Sequence, residues 1–140
     1  MSNFSIFMAG NAANTETVKY VASKRFTDKG EPVEWEIKAI DSDLDEAIRK
    51  ECTKRVPTGK RGQYNQETDT DKYIGKMCVA CTVYPNLNDA ELQDSYGVKD
   101  GVALLKKMLL PGEYTEYKAK VMEVNGYDMS MEELVDNAKN

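Results

Sequence analysis

The segment at residues 84–114 reads YPNLNDAELQDSYGVKDGVALLKKMLLPGEY and places several helix boundaries close together. Its proline ends a preceding helix, and the Asx residues that follow begin a short acidic helix over 89–95. Gly97 ends that helix, and Asp100 begins an apolar helix over 101–110, which a Pro-Gly pair then stops. The pattern predicts two short helices held at a fixed angle. It contains no catalytic motif.

Helical periodicity continues on both sides of this segment. Upstream, apolar residues over 71–83 fill a wide arc, and an acidic stretch at 41–43 begins an earlier helix. Downstream, the pattern predicts a helix over 113–125 and a last short helix over 131–138.

The first third of the chain carries a different period. Apolar and polar residues alternate over 17–26 and 33–40, which indicates two half-buried strands. A turn sequence at 28–32 joins them, so we expect a β-hairpin. Residues 1–16 mix small and polar residues around the central stretch GNAAN at 10–14 and predict a flexible arm, and 56–70 predicts a polar, mobile loop.

A chain of 140 residues fits one domain of ordinary size. We therefore predict an α+β fold that is mostly helical, with an N-terminal β-hairpin followed by about five helices. The arm at 1–16 precedes this single domain at 17–140.

The composition excludes several classes of protein. A net charge of −5 argues against a nucleic-acid binder, whose affinity comes from neutralising phosphates. The absence of histidine removes Ser-His-Asp and Cys-His catalysis and His-based zinc sites. Three cysteines, an odd number, suggest a reducing compartment without a disulfide framework. No signal peptide or membrane span is recognisable, so we expect a soluble protein that stays where it is made.

Three short motifs resemble sites but lack parts of them. Cys78-x-x-Cys81 lies far inside a predicted helix, which favours core packing over redox chemistry or zinc binding. The acidic stretch from Asp41 lacks the glycine and the glutamate of a calcium loop. Gly59-Lys60-Arg61 lacks the other residues of a phosphate loop. A small basic patch surrounds this motif. Because the chain as a whole is acidic, we interpret the patch as part of a solvated loop rather than as an RNA contact. It comprises Lys54, Arg55, Lys60 and Arg61.

The wide apolar arcs of the helices at 71–83 and 101–110 allow two interpretations. Both helices can be central in the core, or part of one arc can be exposed to bind a partner helix or another copy of the chain. Methionine suits adaptable binding surfaces and also fills gaps in cores. The candidate partner-binding residues are Met77, Leu104, Leu105, Met108, Leu109 and Tyr114.

Seven tracts together resemble the XkdN-like phage tail assembly chaperone family of Gram-positive phages and prophages. They occur in family order from about residue 24 to the C-terminus, outside the arm and the 56–70 loop. The tracts are KRF at 24–26, GEPVEWEI at 30–37, IRKECT at 48–53, YPNL at 84–87, AELQDSYG at 90–97, LLKKMLLPGEY at 104–114 and VNGYD at 124–128.

The resemblance implies a non-catalytic helper of the host bacterial cytoplasm that needs no cofactor or metal. Its implied client is the tape measure protein, a long helical protein that must stay soluble while the tail tube forms. The tail tube protein and further copies of the chain are additional candidate partners, whereas nucleic acid and membranes are not expected. A structural tail component that self-assembles, such as an adaptor or minor tube protein, remains the alternative.

Overall fold

The structure is a computed structural model and describes residues 3–127. The predicted helix over 131–138 lies outside the described residues. A short 3-10 helix spans Asn3–Phe7, inside the predicted arm. The α-helices are α1 Ser42–Glu51, α2 Thr70–Cys81, α3 Ala90–Ser95, α4 Gly101–Met108 and α5 Pro111–Val124. The strands are β1 Val18–Tyr20, β2 Thr27–Asp28, β3 Glu31–Pro32, β4 Trp35–Ile37, β5 Thr53–Pro57, β6 Tyr64–Thr68 and β7 Thr82–Tyr84.

A three-stranded antiparallel sheet with the order β1-β4-β7 covers one side of the helices. Its inner face presents Trp35 and Ile37, which are both buried. The Trp35 ring meets the Tyr117 ring of α5 edge to face, with 5.3 Å between the centroids. Thr82 of β7 also faces inward, and its Oγ1 lies 2.6 Å from the Tyr117 hydroxyl. These contacts fix α5 against the sheet.

The predicted fold class is wrong in its helical emphasis and in its order of elements. Helices account for 44% of the structure, and three antiparallel sheets accompany them. The segments at 17–26 and 33–40 do pair, through β1 and β4, but β7 joins their sheet only after α2. The segment predicted as a loop at 56–70 contributes to a second hairpin, β5–β6. Both faces of that hairpin are exposed, so it carries no apolar alternation.

Aspartates begin four of the α-helices in the described part of the chain. In each case a side-chain oxygen accepts a hydrogen bond from a backbone N–H in the first turn, at 2.8–3.1 Å. This confirms the predicted start of α4 at Asp100. The four capping residues are Asp41, Asp69, Asp89 and Asp100.

Helix α2 lies at the centre of the fold and packs against α1, α4 and α5. Its residues Met77, Cys78 and Cys81 are at most 1% exposed. The wide apolar arc predicted for this segment therefore reflects burial on several sides.

Candidate partner-binding groove

The candidate partner-binding residues chosen from the sequence lie in the core. Tyr114 is half-buried, and the other five are at most 4% exposed. The structure brings these residues together around α2, α4 and α5 rather than on a surface. In this conformation their apolar arcs serve core packing, so a surface for a partner has to be sought elsewhere. The five buried residues are Met77, Leu104, Leu105, Met108 and Leu109.

A groove of about 680 Å³ opens between α1, α2 and the start of α4. Apolar side chains form much of its lining, and Leu44 and Ala80 among them are exposed. Polar and charged side chains also border it. The lining consists of Leu44, Ile48, Val79, Ala80, Gly101 and Val102, with Glu51, Lys72, Lys76, Asn88 and Asp100 as its polar members.

Two glycines allow α2 and α4 to approach closely along the groove. A Cβ built on Gly101 of α4 would lie 2.7 Å from Cγ1 of Val79, closer than packed carbon atoms come. A Cβ on Gly75 of α2 would lie 3.0 Å from Cγ1 of Val102. The two valines therefore lie against the backbone of the opposite helix.

A polar cluster on α1 and α2 holds these two helices together. The Tyr73 hydroxyl donates to Asp45, and Nη2 of Arg49 donates to the Tyr73 hydroxyl at 3.0 Å. The guanidinium of Arg49 also lies over the Tyr73 ring, 4.3 Å from its centroid. Burial of the phenol, together with its hydrogen bond to Asp45, raises the pKa of Tyr73. The tyrosine therefore stays in its neutral, donating form to higher pH than a free phenol does.

The charged border of the groove contains an ion pair that joins α1 and α2. Nζ of Lys76 lies 2.8 Å from Oε2 of Glu51. The hydrogen bond between them raises the pKa of Lys76 and lowers the pKa of Glu51, which widens the pH range over which both groups are charged. Lys72 lies beside the pair on the same helix and adds a second cation.

Local sequence patterns indicated parts of this groove but not the groove itself. Leu44 and Ile48 stand four residues apart, on one face of α1, and Ala80 lies in the wide apolar arc predicted over 71–83. The groove depends on how α1, α2 and α4 are placed against one another. The glycines that set the spacing between α2 and α4 do not stand out as apolar positions in the helical pattern of the sequence.

The cysteines lie where core packing was predicted. Cys78 and Cys81 are buried, which confirms that interpretation of the Cys-x-x-Cys motif. Burial raises the pKa of both thiols, the opposite of what a reactive thiolate needs. Within residues 3–127, no group of three or more Cys, Asp or Glu side chains is placed to hold a metal ion.

A helix that crosses a bilayer has to be both long and apolar. None of the helices in the described part of the chain combines the two properties to the degree that crossing requires.

Comparison with known proteins identifies relatives over nearly the whole chain. The protein YqbN of Bacillus subtilis strain 168, described as uncharacterised, is 36% identical over 140 residues, covering 99% of this chain and 93% of YqbN. The crystal structure of YqbN superposes with a TM-score of 0.77 at 32% identity, covering 91% of this chain and 99% of that one.

A second relative carries the family name. The XkdN protein of the phage-like element PBSX, also from Bacillus subtilis strain 168, is 30% identical over 140 residues, covering 99% of this chain and 94% of XkdN. The family model for phage XkdN-like tail assembly chaperone proteins matches residues 4–139. The chain therefore belongs to the XkdN-like phage tail assembly chaperone family.

Proposed function

We propose that this protein is a non-catalytic chaperone of the host cytoplasm that binds the tape measure protein and keeps it soluble during tail assembly. The groove between α1, α2 and α4 is the single observation that carries this proposal. Family membership supplies the role in tail assembly. The groove supplies a surface on which a helical client can lie.

The chemistry of the groove suits one stripe of an amphipathic helix. Its apolar lining, with Leu44 and Ala80 exposed, offers area that is favourable to remove from water. Its polar border can meet the charged residues beside such a stripe. Lys72, Lys76 and Glu51 provide both signs of charge there.

The overall charge of the protein fits the same role. A chaperone that covers an apolar client must keep the complex in solution, and a net charge of −5 favours its solubility.

The experiment is co-expression with the tape measure protein of the same phage or prophage. We expect that protein to move into the soluble fraction and to co-purify with the chaperone. Ala80→Arg places a long cation in the groove, at an exposed position near the C-terminal end of α2 that favours positive charge. We expect it to weaken client binding by roughly tenfold or more, because contacts at the centre of an interface dominate its affinity.

Ala47→Arg is the matched control. Ala47 is an exposed alanine of α1 that does not line the groove, so client binding should be unchanged. Circular dichroism checks that both variants fold. If Ala80→Arg binds the client as the parent does, the groove is not the docking surface. If the client stays insoluble with the parent protein and mature tails contain the protein in stoichiometric amounts, it is a structural tail component.

A further inference from the structure

The β5–β6 hairpin forms a basic finger, residues 53–68, that contributes little to the core. All side chains between 54 and 67 are exposed except Val56, which is half-buried. The two strands pair in a regular antiparallel register from Thr53↔Thr68 to Pro57↔Tyr64. At the base, the hydroxyls of Thr53 and Thr68 lie 2.7 Å apart. The side chains of the finger are therefore accessible to another molecule.

Charge is distributed unevenly between the finger and the rest of the chain. The finger holds four cations and one carboxylate, a net charge of +3, in a chain whose total is −5. The remaining residues therefore carry −8. The cations of the finger are Lys54, Arg55, Lys60 and Arg61.

The cations of the finger are not engaged in ion pairs in the described part of the chain, although Glu67 lies opposite Lys54 in the strand register. None of the four forms an ion pair with a side chain of residues 3–127. Arg55 instead lies over the exposed Tyr64 ring, 4.5 Å from its centroid. Tyrosine and arginine are the residue types enriched where proteins meet.

An acidic surface lies at the other end of the helix that precedes the finger. Helix α1 is capped by the exposed Asp41, carries the exposed Asp43 in its first turn and ends just before the finger. Ten residues of α-helix separate the two by about 15 Å. Opposite charges at opposite ends of one helix are well placed to meet on different molecules.

We propose that the basic finger of one copy docks on the acidic start of α1 in a second copy. The contact is head to tail, so each copy offers a finger at one end and an acidic surface at the other. A charge of −8 on the rest of the chain repels nucleic acid, whereas the same charge attracts the finger of another copy. The proposal is independent of the client-binding groove.

The first test measures self-association by sedimentation velocity in about 0.1 M and about 1 M salt, where the screening length falls from about 10 Å to about 3 Å. We expect the parent protein to associate in the lower salt and to dissociate in the higher. Lys60→Glu/Arg61→Glu should weaken association roughly tenfold, because two charge pairs across an interface become repulsive. The matched control is Lys106→Glu/Lys107→Glu, an exposed pair on α4 with the same change in net charge, which should associate as the parent does.

The second test mixes two variants that are each defective alone. Asp43→Lys reverses one charge of the acidic surface, and Lys60→Glu/Arg61→Glu reverses the two charges at the tip of the finger. In the mixture, the intact finger of the first variant meets the intact acidic surface of the second. We therefore expect one-to-one dimers from the mixture and weak association from either variant alone.

Three outcomes would overturn the proposal. In the first, the parent protein stays at monomer mass in the lower salt. In the second, the finger variant associates as strongly as the parent. In the third, the finger change abolishes retention of single-stranded RNA on a filter and leaves self-association unaltered, which would make the finger a nucleic-acid surface.

Discussion

Single residues set how closely α2 and α4 pack, and their effect is invisible to hydrophobic patterning. Gly101 places backbone where any side chain would press on Val79. The capping aspartates are the opposite case, because their role is local and follows from spacing alone. Asp100 could therefore be recognised as a helix start from the sequence. The close approach at Gly101 could not, since it joins residues that are distant along the chain.

At this scale we predict that Gly101→Ala destabilises the protein by about 1–3 kcal/mol, the usual effect of overpacking a core contact. Val79 is β-branched and has little freedom to turn away from the new methyl group. Urea denaturation measures the effect. Gly112→Ala is the control, because a Cβ there meets nothing within 4 Å, so stability should stay the same or rise.

The Val79→Ala background separates this clash from other causes. There the methyl group introduced at position 101 would have room, so adding Gly101→Ala should cost less than it does in the parent. An equal cost in both backgrounds would show that contact with Val79 is not the reason.

Among the elements, helices were predicted better than strands. Helices α2 and α4 each have an aspartate cap and a buried apolar face, so the predicted segments 71–83 and 101–110 end within a few residues of them. Residues 56–68 of the basic finger were predicted as part of a loop because its strands have no apolar face. β7 was missed because it continues directly from α2 and is three residues long. Its pairing with β4 is a long-range contact that no local pattern specifies.

At the scale of elements, we predict that a shorter finger leaves the stability of the domain unchanged. Replacing residues 59–62 with Asn-Gly keeps the strand register and supplies a two-residue hairpin turn. Because the side chains of this tip are exposed, Tm should shift by no more than about 2 °C. Differential scanning calorimetry provides the measurement. Trp35→Ala serves as the contrast and should cost about 3–5 kcal/mol, and a comparable loss on shortening the finger would mean that the finger supports the core.

For the molecule as a whole, sequence patterns indicated a mixture of helices and strands, and seven tracts indicated the family. The balance of helix and sheet came from the structure. The groove belongs to this scale too. It arises where three helices meet, and its lining residues come from separate parts of the chain. The candidate partner-binding residues were chosen because the apolar arcs of their helices are wide. Most of them are buried in the core, because the most apolar faces of a helix are those that the fold buries.

The buried thiols and phenols predict how the stability of the whole molecule depends on pH. Burial raises the pKa of Cys78, Cys81 and Tyr117, and it raises the pKa of Tyr114 to about 12. In the unfolded chain the thiols ionise near 9.0 and the phenols near 10.0. Above those values the unfolded state releases protons that the folded state keeps, so stability falls as pH rises until the folded pKa is reached.

Urea midpoints measured from about pH 8 to about pH 11 check this expectation. Tyrosinate absorbance recorded on the same samples should show that the buried phenols ionise only as the protein unfolds. A midpoint that stays constant or rises over this range would contradict the prediction.

Trp35 gives this protein a built-in optical reporter. It is the single tryptophan of the chain, 1% exposed, between the rings of Phe26 and Tyr117. An indole so enclosed emits at shorter wavelength than one in water, and the emission moves to the red when the sheet separates from α5. Neither the groove nor the basic finger includes Trp35. Fluorescence therefore follows the opening of the core, while a label on the finger or in the groove can follow docking in the same sample.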